Sequence, residues 1–133
     1  MYYSIHMSIS VPVSIGELWD KYTILLIKQE KIKDKDKKKY INIEINYLFN
    51  IMKDFSYIND TDFIELKKTN ESLWNIEDQL RIKEQKKEFD NDFINLARNV
   101  YFTNDKRAEL KRKINENNNS LIFEIKDYVN YQK

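Results

Sequence analysis

The stretch that decides the fold lies between residues 62 and 87 and reads DFIELKKTNESLWNIEDQLRIKEQKK. It contains neither glycine nor proline, and its larger apolar residues fall on one helical face: Phe63, Leu66, Leu73, Trp74 and Leu80. A helix over this stretch would be ~39 Å long, whereas a compact chain of 133 residues is only ~36 Å across. The helix should therefore protrude. We expect either an elongated molecule or a second copy that covers the overhang, and we favour a homodimer.

Around this helix the chain predicts further helices rather than strands. It has one glycine and one proline in 133 residues, and β-sheets and phosphate-binding loops need more of both. Ser14 and Glu17 form a capping-box pattern that starts a first helix, expected over residues 15–33. A second helix is expected over 38–55. A fourth should begin near residue 90, with a kink or restart at 103–105, where Thr, Asn and Asp prefer caps.

These elements predict an all-α protein, an antiparallel helical bundle of four to five helices with long helical hairpins. A single domain should span residues 1–133, which is an ordinary domain length. Residues 1–7 are expected to be a disordered tail, followed by a short extended arm around Pro12. A loop at 117–120 should lead into a C-terminal segment, 121–131, either helical or extended.

Composition excludes several classes of chemistry. Without cysteine the chain has no disulfide, thiolate metal site or thiol nucleophile, and its single histidine excludes a poly-His metal centre. With 23 basic and 22 acidic residues, nucleic acid and anionic membranes are disfavoured as partners. The longest aliphatic run, residues 24–27, is far too short to cross a membrane, and no signal peptide pattern occurs. We expect a cytoplasmic protein without a cofactor.

Polar residues interrupt the apolar seam of the third helix. Asn70, Glu77 and Glu84 recur at a spacing of seven, and Arg81 lies one step around the helix. The stripe of the fourth helix likewise continues into polar residues, which are Asn104, Arg107 and Lys111 with Asp105 alongside. The seam is either a channel for a ligand or cation, or a structural network that sets register. The structural interpretation is the commoner one, because Glu77 and Arg81 can pair at i,i+4.

The first helix carries a charged edge beside its apolar stripe, formed by Glu17, Lys21 and Lys28 with Asp20 adjacent. A solvent-exposed face is the favoured interpretation. Glu17 and Asp20 are weak metal candidates, since a magnesium-dependent pyrophosphohydrolase needs paired acidic motifs on facing helices; we expect no metal. His6, a still weaker candidate for a general base, falls in the predicted tail.

Three segments resemble a bacterial and phage family of unknown function. They are residues 11–28 (VPVSIGELWDKYTILLIK), 70–93 and 96–115, which reads LARNVYFTNDKRAELKRKIN. The family pattern includes the polar seam residues Glu77, Arg81, Glu84, Arg98, Asn104, Asp105, Arg107 and Lys111. The chain departs from it at residues 124–128, EIKDY, where the family looks like Glu-Lys-Ser-Tyr. The resemblance implies a shared pocket or a shared polar packing network and no particular activity.

The leading hypothesis is a binding or interaction module for a small anionic molecule or a protein partner. Arg81, Arg98 and Arg107 would clamp a carboxylate or phosphate, and Glu77 and Glu84 would orient them. The alternatives are a cofactor-free enzyme similar to chorismate mutase, which needs only placed charges, and a magnesium-dependent nucleotide pyrophosphohydrolase. Arginines that converge on an open groove would favour binding.

Overall fold

The computed structural model describes residues 7–132, so the predicted tail over 1–6 and His6 lie outside the described residues. The four helices are α1 (Ile15–Lys31), α2 (Lys35–Met52), α3 (Thr61–Lys86) and α4 (Asn91–Asn117). Residues 7–132 contain no strand. The predicted all-α bundle is therefore confirmed, with four helices.

Each helix begins after a side chain that caps it. Ser14 accepts a hydrogen bond from the Glu17 amide at 3.0 Å, and an aspartate takes the same place before each of the other three helices: Asp34, Asp60 and Asp90. Such caps satisfy backbone amides that have no partner inside the helix. Because Asp34 is the cap, α2 begins earlier than the predicted residue 38.

The helix α1 is the centre of the fold, because it contacts α2, α3 and α4, whereas among the four described helices α2 packs against α1 alone. Aromatic rings fill the core in edge-to-face pairs. The ring centroids of Trp19 and Phe63 are 5.8 Å apart, and those of Tyr57 and Phe63 are 4.9 Å apart. Leu110 and Ile114 close the core from α4.

The predicted overhang is present. The last buried residue of α3 is Leu73 and the first buried residue of α4 is Leu110, so the core occupies only one end of the long α3/α4 hairpin. Beyond it α3 and α4 cover mainly each other, and Leu80, Phe93 and Val100 are half-buried.

The expected kink at 103–105 is wrong, because α4 is continuous from Asn91 to Asn117. Packing against α3 along the hairpin outweighs the local preference of Thr, Asn and Asp for caps. The predicted loop follows α4, with Asn119 in the left-handed conformation (φ 54°). Residues 121–130 form neither helix nor strand, and their side chains are exposed. Among the described residues, no helix has the length and apolar character needed to span a membrane.

Candidate functional site

A buried carboxylate joins three helices. Asp20 of α1 is 1% exposed, and its Oδ1 accepts hydrogen bonds from Asn70 Nδ2 of α3 and from Arg107 Nε of α4, both at 2.9 Å. Arg107 Nη2 donates to the other oxygen, Oδ2. Asn70 Nδ2 is also 2.8 Å from Thr23 Oγ1. This bidentate pair is the strongest ion-pair geometry available to arginine.

A second cation lies one turn further along α4. Lys111 is 8% exposed, and its Nζ donates to Glu17 Oε2 at 2.7 Å and to Glu124 Oε2 at 2.8 Å. It is also 3.8 Å from Asp20 Oδ2. Asp20, Arg107 and Lys111 with Glu17, Glu124 and Asn70 are called the polar cluster below.

The pKa shifts agree with this pairing. The hydrogen bonds with Asp20 raise the pKa of Arg107 above its ordinary value. Burial lowers the pKa of Lys111, but the hydrogen bonds to Glu124 and Glu17 outweigh burial and the net shift is upward. The Lys111 ammonium in turn holds the pKa of Glu124 below its ordinary value. Each of these groups is therefore charged at neutral pH.

The only glycine in the chain allows α1 to approach α4 closely enough to form this cluster. The Gly16 amide donates to Asn115 Oδ1 at 2.6 Å, and a Cβ on Gly16 would lie 2.6 Å from the carbonyl oxygen of Lys111. Ser120 then ties the loop after α4 to the start of α1, because its Oγ accepts from the Ile15 amide at 3.2 Å.

A groove of about 410 Å³ opens beside the polar cluster, where α1 passes over the start of the overhang. It is called the Trp74 groove below. Its apolar wall consists of Ile24, Ile27, Leu73 and Trp74. Its polar wall consists of Asn70, Glu77, Asp78, Arg81, Asn104 and Arg107. Small-molecule sites combine an apolar surface with polar groups that fix the orientation of the ligand, and this groove offers both.

The charged side chains of the groove differ in whether they have an ion-pair partner. Arg107 is paired with Asp20. Within residues 7–132, no ion pair is formed by Glu77, Asp78 or Arg81, so the i,i+4 pair expected between Glu77 and Arg81 is absent there. The seam becomes exposed at Glu77 because the core ends at Leu73.

Arg81, Arg98 and Arg107, which the sequence predicts to clamp one anion, do not converge on one groove. Arg81 and Arg107 line the groove, whereas Arg98 is exposed and its guanidinium carbon lies 5.5 Å above the ring of Phe102. Glu84 is also exposed, 3.9 Å from Lys87, and Asp105 accepts a hydrogen bond from the Tyr131 hydroxyl.

The charged edge of α1 divides into exposed and buried parts. Lys21 is exposed and forms an ion pair with Glu44 at 2.9 Å, and Lys28 is half-buried beside it. The expected solvent face is wrong for Asp20, because α4 covers it with Arg107. The two weak metal candidates bind cations of the protein instead, Asp20 through Arg107 and Glu17 through Lys111. Residues 7–132 contain no group of three or more His, Asp or Glu side chains placed to hold a metal.

Sequence reasoning missed several residues of this region. Thr23 and Asn115 are buried and hold Asn70 and Gly16 in place. Nothing in the helical periodicity distinguishes them from ordinary polar positions. Gly16 offered one usable signal, because a glycine in the first turn of a helix costs helix propensity and so indicates a close contact.

Comparison with known proteins places the chain in a family. A model described as a family of unknown function (DUF6165) matches residues 9–132. No curated protein and no solved structure matches the chain. Because the match spans nearly the whole sequence, the chain belongs to the DUF6165 family of unknown function.

Proposed function

We infer that this protein binds a small anionic molecule in the Trp74 groove, with Arg81 as the residue that takes its carboxylate or phosphate group. The observation that carries this proposal is the juxtaposition of Arg81, which has no ion pair among the described residues, with the indole of Trp74 in one cleft. We also propose that the protein is cytoplasmic and that it comes from a bacterium or a phage.

The polar cluster holds the helices around the groove in position, and it does not itself bind the ligand anion. Arg107 and Lys111 face three carboxylates, those of Asp20, Glu17 and Glu124. A ligand anion would have to displace one of these partners. Displacing Asp20 would leave a buried carboxylate without compensation, which is strongly unfavourable. The pairing therefore fixes the Arg107 side of the groove and leaves Arg81 as its available cation.

The charges of the groove narrow the class of ligand. With Arg107 compensated by Asp20, the remaining charged side chains are Arg81, Glu77 and Asp78, which sum to one negative charge. A ligand that carries only negative charge would be repelled by the two carboxylates. We therefore propose an anion that also carries ammonium or hydroxyl donors for Glu77 and Asp78, with an apolar or flat part that packs on Trp74.

A thermal-shift screen tests this function. The panel contains simple carboxylates, amino acids, phosphate monoesters and sugar phosphates, and it is run on the wild type, Arg81→Ala and Arg98→Ala. The Arg98→Ala variant is the matched control, because Arg98 is an exposed arginine on α4 outside the groove. We expect at least one compound to raise the melting temperature of the wild type and of Arg98→Ala but not of Arg81→Ala. A panel without any shift, or a shift that Arg81→Ala retains, would contradict the proposal.

A further inference from the structure

The outer face of α2 carries an apolar stripe with no cover in the described structure. It consists of Tyr40, Ile43, Tyr47 and Ile51, which are 72%, 45%, 66% and 50% exposed. Their spacing of three and four residues places them within an arc of about 80° on the helix. Since α1 is the one helix of residues 7–132 that α2 contacts, no other described helix covers this face. Helices with apolar residues on two faces normally have a neighbour on each.

We propose that this stripe, called the α2 stripe, is the contact between two copies of this chain, which pair through α2 antiparallel about a twofold axis. In such a pair, residue i meets residue j of the second copy, and j meets i. With the axis midway between residues 45 and 46, Tyr40 would lie opposite Ile51, and Ile43 would lie opposite residue 48, one residue from Tyr47. Each aromatic ring would then pack against an aliphatic side chain of the second copy.

The charges at the two ends of α2 fit the same register. The start is basic, because residues 33–39 hold five lysines and two aspartates. The other end has the negative pole of the helix dipole, with Lys53 at the C-cap and Asp54 directly after it. The register that pairs Tyr40 with Ile51 places Lys37 beside Asp54 of the second copy. Within residues 7–132, neither Lys37 nor Asp54 has an ion-pair partner.

The stripe is a better candidate for this contact than the overhang of the α3/α4 hairpin. On the overhang, Leu80, Phe93 and Val100 are half-buried between the two helices, and the exposed apolar residues lie on different elements, with Ile82 on α3, Phe89 on the turn and Ile94 on α4. The α2 stripe instead places four residues, each at least 45% exposed, on one face of one helix. One helix pair buries less than the roughly 1,600 Å² of a typical stable complex. We therefore expect a dimer that dissociates on dilution.

Sedimentation velocity over a concentration series tests the proposal with the full chain. We expect the wild type to dimerise, and Tyr47→Glu and Ile51→Glu each to raise the dissociation constant at least tenfold with unchanged circular dichroism. Two variants are used so that the test remains valid if one of them does not fold. Ile82→Glu is the matched control, because Ile82 is 50% exposed on the overhang, and it should leave the dimer intact.

A charge reversal tests the antiparallel register. Lys37→Asp and Asp54→Lys should each weaken the dimer by about tenfold, since each change affects two symmetric pairs, and the double variant should restore it. Within one chain the two positions are about 26 Å apart along α2, so restoration requires contact between copies. A wild type that stays monomeric, a dimer insensitive to Tyr47→Glu and Ile51→Glu, a dimer broken by Ile82→Glu, or a double variant weaker than both single ones would overturn the proposal.

Discussion

The guanidinium of Arg107 donates two hydrogen bonds to the carboxylate of Asp20, although the two residues are 87 positions apart in the chain. Asn70 of α3 donates to the same carboxylate. One buried acid thus fixes the positions of α1, α3 and α4 relative to each other. The Trp74 groove lies between these same helices, so its shape depends on this interaction.

Removal of the Asp20 charge should destabilise the protein. We expect Asp20→Asn to lower the free energy of unfolding by about 3 kcal/mol, because it leaves Arg107 partly buried without its counter-ion. Urea unfolding measures the change. Lys21→Ala is the control, since it breaks the exposed pair with Glu44 and should cost less than about 1 kcal/mol. Equal costs for the two variants would mean that Asp20 does not organise the fold.

A methyl group on Gly16 should force α1 away from α4. The added Cβ would lie 2.6 Å from the Lys111 carbonyl oxygen and 2.9 Å from Asn115 Oδ1. We expect Gly16→Ala to lower the free energy of unfolding by about 2 kcal/mol. At an unhindered helical position the same change would stabilise the protein by up to about 1 kcal/mol. A stabilised variant in urea unfolding would therefore contradict the close contact.

Acid should loosen the segment after α4. The pKa of Glu124 is held below its ordinary 4.5 by Lys111, so this contact is fully present above pH 4.5 and is lost as pH falls through the lowered value. The raised pKa of Lys111 preserves its charge up to and beyond 10.5. Heteronuclear NOE measurements on residues 124–131 during an acid titration should report the loosening.

The variant Glu124→Gln identifies the group responsible. It lacks the titrating carboxylate, so its segment should show no change in mobility over the same acid range. An identical transition in Glu124→Gln and in the wild type would assign the effect to another carboxylate.

Asn104 should contribute to binding at some expense of stability. Its side chain lines the Trp74 groove and lies in the middle of α4, where asparagine is a poorer helix former than alanine. We expect Asn104→Ala to raise the free energy of unfolding by about 0.5 kcal/mol and to reduce the thermal shift produced by a groove ligand. A destabilised variant would show instead that Asn104 supports the fold.

The helices were predictable because their signals are local. Ser14 caps α1 as its pattern predicts. The capping box also predicts that the Glu17 side chain bonds back to the Ser14 amide. In the structure the Glu17 carboxylate accepts a hydrogen bond from Lys111 instead. The continuity of α4 was not predictable, because the preference of Asn104 for a cap is local and the packing against α3 that overrides it is not.

The candidate site was predictable only in part for the same reason. Asn70, Glu77 and Arg81 stood out because they break the apolar seam of α3. Asp20 did not, because its helix has other charged residues nearby and its partner Arg107 comes from a helix far along the chain. The α1 wall of the groove depends on the angle at which α1 crosses α3, which no periodicity encodes.

The two tryptophans provide the most direct measurement of the central claim, that the Trp74 groove binds a small anion at Arg81. In a ¹⁵N-correlated spectrum each indole N–H gives one signal; Trp19 is 1% exposed in the core and Trp74 lines the groove. On titration with a compound selected by the thermal-shift panel, we predict that the Trp74 signal moves while the Trp19 signal stays, and that Arg81→Ala abolishes the movement. A Trp74 signal that stays in place at saturation would contradict the claim.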